Sequence, residues 1–198
     1  RALAGDPEKT ADLFRRAKTD AARAGDIIRR IRQMVERTDQ EMAMFNLAAV
    51  LDASIDLCRM ADAGRPCDFT ISGVPAGFEV FGDQTQIQQI LINLIKNALD
   101  ATAGQTERRV HIFARIGGDL QLFVEDNGPG VTTGILTRLF TPFTSSKPTG
   151  LGIGLSICRN IADAHGGALD YVSGVEPARI LNGACFRLTL PLETVNND

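Results

Sequence analysis

The sequence predicts an α+β fold: one compact domain of mixed strands and helices behind a long amphipathic helix. Three observations carry this. An apolar seam recurs at helical spacing near the start of the chain. Short strand-like runs bounded by glycine and proline alternate only irregularly with helical patterns. That irregularity argues for a mixed layer of strands and helices, not a doubly wound parallel sheet. With 198 residues, the chain has room for one such domain plus a smaller element.

The first helix starts at Asp6-Pro7, an N-cap followed by proline at the first helical position. Phe14, Ala17, Ala21, Ala24, Ile28, Ile31 and Val35 then recur in steps of three and four. A single helix cannot bury that seam alone, so partner helices are expected. The polar stretch from Thr38 to Met44 reads as a linker, with a short strand at Phe45-Asn46-Leu47. A helix follows from Ala48 to Ala63, stopped by Gly64. Asp68–Ser72 and Phe78–Phe81 are short strand candidates. Asp83-Gln84-Thr85-Gln86 resembles a capping box opening the next helix. On that helix Ile87, Ile90, Leu91, Leu94, Ile95, Ala98 and Leu99 form one arc, and Asn93, Asn97 and Asp100 another. Arg109–Ile116 and Leu120–Glu125 form a hairpin about Gly117-Gly118. Residues 129–149 read as a long glycine-, proline- and threonine-rich loop, the kind that serves as a lid. Leu151–His165 is a helix ended by Gly166-Gly167, and strands at Leu169–Val172 and Cys185–Leu190 complete the domain.

The net charge of −3 gives no electrostatic case for nucleic acid, and no apolar run approaches the ~18 residues of a membrane helix. No direct membrane contact is expected of this segment. The four cysteines are scattered, without zinc spacing, as in a reduced cytoplasmic protein. The chain opens without an initiator Met and reads as a piece of a longer protein.

Three short stretches carry chemistry. Asp126-Asn127-Gly128-Pro129-Gly130 places a carboxylate at the end of an apolar strand, where it can accept a hydrogen bond from the exocyclic amine of adenine. Guanine, with an acceptor at that position, would be rejected. The alternative is a plain turn. Asn93 and Asn97 lie one helical turn apart; an amide oxygen is a neutral, hard ligand suited to Mg²⁺, although two surface asparagines would look the same. Gly150, Gly152 and Gly154 lead into a helix whose backbone amides can meet phosphate. No Gly-Lys-Ser/Thr follows, so this is not a P-loop. In the loop, Lys147 is placed to reach phosphate charge, or is an ordinary solvated lysine. Together the three stretches point to ATP.

In this order the motifs resemble the ATP-binding catalytic domain of sensor histidine kinases, the Bergerat fold shared with gyrase, Hsp90 and MutL. Asn93–Ala101 is similar to the N box, Asp126–Gly130 to the G1 box, Phe140–Phe143 to the F box and Gly150–Gly154 to the G2 box. Ala21-Ala22-Arg23-Ala24-Gly25-Asp26-Ile27-Ile28-Arg29-Arg30-Ile31-Arg32 resembles the second helix of the dimerisation and phosphotransfer hairpin, in the nitrogen-fixation oxygen-sensor branch. The resemblance implies a two-layer α/β sandwich, a mixed sheet with helices on one face, over residues 46–193. It implies the hairpin helix over 1–38, a linker over 39–45 and a tail over 194–198.

It also implies the activity: the γ-phosphate of ATP passes to a histidine, then to an aspartate of a response-regulator receiver domain, within a homodimer. Carried over by position, Asn97 would coordinate Mg²⁺, Asn93 would assist at the phosphates and Asp126 would bind adenine. Gly128 and Gly130 belong to the adenine turn. Thr144, Lys147, Gly150, Leu151, Gly152 and Gly154 would close on the phosphates.

The chain departs from the family pattern in places. Its two histidines, His111 on a strand and His165 at a helix end, lack the acceptor's context, so the acceptor helix is expected upstream of Arg1. His111 is expected to be half-exposed, and His165 to carry partial charge that suits a helix C-terminus. Position 100 is Asp where many kinases carry Lys, and Val175–Asn182 is a longer connection than usual. Gly183-Ala184-Cys185-Phe186, which the resemblance places near adenine, lacks a hydroxyl often found there, so a minor polar contact to adenine is not expected. Two competing functions stand beside the kinase. A gyrase- or Hsp90-type ATPase needs a glutamate base where this chain has Asn93. A nucleotide-binding dimeric scaffold without kinase activity needs only the pocket.

Overall fold

The computed structural model describes residues 10–15, 17, 18, 25, 41–62, 64–144, 152–173 and 178–192. The chain divides into two compact units, Arg1–Asp39 and Gln40–Asp198. In the first, residues 10–15, 17 and 18 are helical, and Phe14 of the apolar seam and its neighbour Leu13 are 73% and 66% exposed. The rest of the expected long helix lies almost wholly outside the described residues.

The second unit opens with β1 (Met42–Asn46), which pairs antiparallel with β3 (Glu79–Asp83). This strand begins inside the stretch expected to be linker. Its first residues are exposed, so they lack the alternating apolar pattern that marks a strand in sequence. Asn46 then caps α1 (Leu47–Ala61): its Oδ1 accepts from the Ala49 amide at 3.0 Å. The buried face of α1 is Leu47, Val50, Leu51, Ser54, Ile55 and Cys58, a helical spacing.

A five-stranded sheet forms the second layer. It comprises β2 (Asp68–Ser72), β4 (Arg109–Ile116), β5 (Asp119–Asp126), β6 (Ala168–Tyr171) and β7 (Cys185–Pro191), in the order β2-β4-β5-β7-β6. β2 runs parallel to β4 and every other pairing is antiparallel, so the sheet is mixed. Helix α2 (Gln84–Ala101) is capped by Asp83, whose Oδ1 accepts from the Gln86 amide at 3.1 Å. It packs against α1, β4, β5 and α4 (Gly154–Ala164). Its seven apolar arc residues, Ile87 to Leu99, are all buried, as the spacing predicts.

Strand alternation divides β5 between two faces. Leu120, Leu122, Val124 and Asp126 share one. Phe123 and Glu125 share the other, where Phe113 stacks on Phe123 at 4.4 Å and Cys185 completes a small cluster. Among the described residues no helix is long and apolar enough to cross a membrane.

One buried cation ties the layers together. Arg108, 8% exposed, donates to Asp62 Oδ2 at 2.6 Å and to the Leu99 carbonyl at 2.9 Å. It thereby joins the ends of α1 and α2 to the start of β4. Burial alone would raise the Asp62 carboxyl, but hydrogen bonds and charge from Arg108 and Arg65 outweigh it and hold it below the usual carboxylate range. That stabilisation is present above the ordinary carboxylate pKa and is lost as pH falls through the lowered one. Arg108→Ala is expected to cost about 1–3 kcal/mol in urea unfolding at neutral pH, because the buried Leu99 carbonyl loses its donor while Asp62 keeps only the more exposed Arg65.

Candidate functional site

Asp126 is the last residue of β5 and is 3% exposed. Its Oδ1 accepts from the Gly128 amide at 2.8 Å and from the Ala184 amide at 3.2 Å. Both donors go to one oxygen, leaving Oδ2 to other partners. Its own amide donates to the Ala184 carbonyl at 3.0 Å, and its carbonyl accepts from the Gly183 amide at 2.8 Å. Burial pushes the carboxyl above the ordinary aspartate value; the two amides and the Arg179 charge oppose this, and Glu125 adds to it.

The turn after Asp126 is fastened on both sides. Asn127 Oδ1 accepts from the Arg109 amide at 2.9 Å, and its Nδ2 donates to the Glu107 carbonyl at 2.7 Å. A Cβ at Gly128 would sit 2.8 Å from the Ala101 carbonyl, so only glycine lets the turn approach the end of α2 so closely. Gly130 continues the turn with φ 75°.

Asn93 and Asn97 project from α2 and are partly exposed, between its buried arc and its solvated side. A Cβ at Gly154 would lie 3.3 Å from Asn93 Oδ1, so Asn93 stands beside the first residue of α4. No side chain caps that helix, which leaves its first-turn amides to other acceptors. Ahead of it, Gly152 has φ 66°, and its Cα faces the Thr144 backbone too closely for any Cβ. The base of the loop is thereby pressed onto the glycine turn. Among its described residues the loop contains one short helix, α3 (Thr133–Leu136). The Thr144 hydroxyl is buried with no hydrogen-bond partner among the described residues. Lys147, Gly150 and Leu151 lie outside the described residues.

The structure therefore brings Asp126, Gly128, Asn93, Gly152, Gly154 and Thr144 around α2 and the start of α4, with Asn97 one turn from Asn93. It also shows what the sequence reading missed. Gly183 and Ala184, the two residues that lead into β7, lie beside the end of β5 and complete the Asp126 site. The resemblance had put Gly183–Phe186 near adenine, but not the two backbone amides that hold Asp126.

Both histidines correct the sequence reading. His111 is not half-exposed but 3% exposed: Nδ1 meets Glu125 Oε1 at 2.8 Å and Nε2 meets Ser72 Oγ at 2.8 Å. His165 is buried, and its Nε2 accepts from the Asp83 amide at 3.0 Å, while Nδ1 faces the Ile161 carbonyl at 2.8 Å. That pattern needs the neutral ring with its proton on Nδ1, not a partial charge. His165 joins the end of α4 to the cap of α2, and so fixes the two helices that flank the site.

Known proteins share this fold and much of this sequence. The family model described as histidine kinase-, DNA gyrase B- and HSP90-like ATPase matches residues 82–194. The sensor protein FixL of Bradyrhizobium diazoefficiens is 35% identical, over 99% of this chain and 39% of its own length. The C4-dicarboxylate transport sensor protein DctS of Rhodobacter capsulatus is 32% identical, over 96% of this chain and 29% of its own. The chain thus spans well under half the length of these relatives. The catalytic domain of the histidine kinase ThkA, solved nucleotide-free, superposes with a TM-score of 0.66 at 30% identity, covering 77% of this chain and 96% of that one. The chain belongs to the histidine kinase-, DNA gyrase B- and HSP90-like ATPases, and its second unit has the fold of a histidine kinase catalytic domain.

Proposed function

We propose that this chain presents ATP to a histidine on a separate helix, for relay of the phosphoryl group to a response-regulator aspartate. The observation that carries the reading is the buried Asp126, held by two backbone amides beside the helix that bears Asn93 and Asn97. Asp126 accepts the adenine amine. The first turn of α4, with Gly150, Leu151, Gly152 and Gly154 at its approach, receives phosphate oxygens. Thr144 and Lys147 close over them from the loop.

The residues present fit a magnesium ion. Asn97 offers one neutral oxygen on a rigid helix, and Mg²⁺ takes the rest of its shell from phosphates and water. When bound, the ion would neutralise charge developing on the transferred group. Asn93 orients the phosphates and, being an amide, cannot take a proton from water; this favours transfer to a protein acceptor over hydrolysis. The protein's own contribution is placement and fixed charge, not covalent chemistry. Within this reading residues 1–38 supply the second hairpin helix and a homodimer contact, and the catalytic domain, which takes in β1, runs on to 193, in the cytoplasm.

Calorimetric titration with ATP and GTP, each with and without Mg²⁺, tests the site. ATP-selective binding strengthened by Mg²⁺ is expected. In the intact kinase Asn97→Asp is expected to abolish autophosphorylation without unfolding, since it adds a negative charge beside the phosphates. Wild-type-like autophosphorylation of that variant would sink the assignment.

A further inference from the structure

We propose that the Glu125–Arg179 ion pair positions Asp126, and so sets the purine selectivity of the site from the opposite face of the sheet. This rests on Asp126 being the adenine reader. Glu125 precedes Asp126 on β5 and therefore points to the other face. It is a fully buried carboxylate, 0% exposed. Its Oε2 accepts from Arg179 Nε at 3.0 Å, and its Oε1 from the Ile180 amide at 2.8 Å. The same guanidinium donates from Nη2 to the Gly183 carbonyl at 2.8 Å.

Residues 179–184 are thus a strap with two anchorages. One end is held by Glu125. The other end delivers the Gly183 amide to the Asp126 carbonyl and the Ala184 amide to Asp126 Oδ1. A buried ion pair contributes little to net stability, because desolvation consumes most of the attraction. What it supplies here is a fixed location for the Ala184 amide, which fixes the carboxylate. Arg179 also places a positive charge behind two adjacent carboxylates, opposing the upward push on Asp126. Neither Glu125 nor Arg179 faces the nucleotide, so both are positioning residues.

The experiment is titration with ATP and with purine riboside 5′-triphosphate, which lacks the exocyclic amine, on the wild-type chain, Arg179→Ala, Glu125→Gln and Asp126→Asn. Unfolding midpoints are recorded alongside. In wild type, ATP is expected to bind more tightly than the analogue. In Arg179→Ala that preference falls about tenfold, the size of one hydrogen bond to a charged group, while affinity for the analogue holds. The Arg179→Ala loss also vanishes in the Asp126→Asn background. An equal loss for both nucleotides, or a loss that persists without the Asp126 carboxylate, marks the pair as merely structural and overturns the proposal. Should Arg179→Ala fail to fold, Glu125→Gln, of nearly the same shape, carries the same test. If wild type does not prefer ATP over the analogue, the reading of Asp126 fails and the proposal with it. If wild type does and both brace variants keep the full preference, only the brace fails.

Discussion

Asp126→Asn is expected to remove ATP binding by a factor on the order of a hundred while leaving the domain folded and no less stable. The asparagine Oδ1 can accept from the Gly128 and Ala184 amides just as the carboxylate does. What changes is the second atom, which becomes an NH₂ donor aimed at the adenine amine, donor against donor. The stability prediction follows from the raised carboxyl. A folded-state value above the unfolded one means that the native state holds the proton more firmly. Stability therefore falls as pH rises from the ordinary carboxylate value through the raised one, and the full cost is present at neutral pH. Asparagine carries no such cost. The same shift gives the pH dependence of binding: wild-type ATP affinity should begin to weaken on acidification at a higher pH than for an exposed aspartate. Calorimetry across pH together with urea unfolding of both proteins checks all three statements. Unchanged ATP affinity in the variant would remove Asp126 from the site.

The parts of this fold that the sequence made legible are those with local causes. The arc on α2 and the cap at Asp83 are periodic or adjacent in the chain, and the structure reproduces them. So is the β4–β5 hairpin, whose register pairs Ile116 with Leu120 around Gly117-Gly118. What stayed hidden depends on partners far away in sequence. β1 exists because β3 lies beside it, and its exposed Met42 and Met44 give no strand pattern. The parallel pairing of β2 with β4 has no sequence signal. His111 is buried because Ser72 and Glu125 close over it, and His165 is an acceptor because the Asp83 amide reaches it. The candidate site divides the same way. Asp126, Asn93, Asn97 and the glycine turn were legible as motifs. The contribution of Arg179, paired with a carboxylate 54 positions earlier, and of Ala184 was not.

Gly183 shows how strict that hidden half of the site is. Its φ is not in the left-handed region, so conformational freedom does not explain the glycine. Space does. A Cβ there would collide with Asp126 Oδ1 and with the Asp126 carbonyl, and would stand 2.7 Å from the Gly128 amide nitrogen. Two of those three are backbone atoms of the Asp126–Gly128 turn, and the third is the oxygen both amides hold, so no flexible side-chain end is free to yield. Gly183→Ala must therefore move either the strap or the turn. Moving the strap withdraws the Gly183 and Ala184 amides; moving the turn separates Asp126 from α2, where Gly128 already meets Ala101. Either way the carboxylate is displaced, and a displacement of about 1 Å is enough to cost a hundredfold at a positioned group. ATP affinity is expected to fall by about that factor, with a stability loss of about 1–3 kcal/mol from overpacking. This separates it from Asp126→Asn, which loses binding without losing stability. A Gly183→Ala protein that bound ATP normally would show that the turn and strap are not rigidly joined, and that Asp126 is held by its own strand alone.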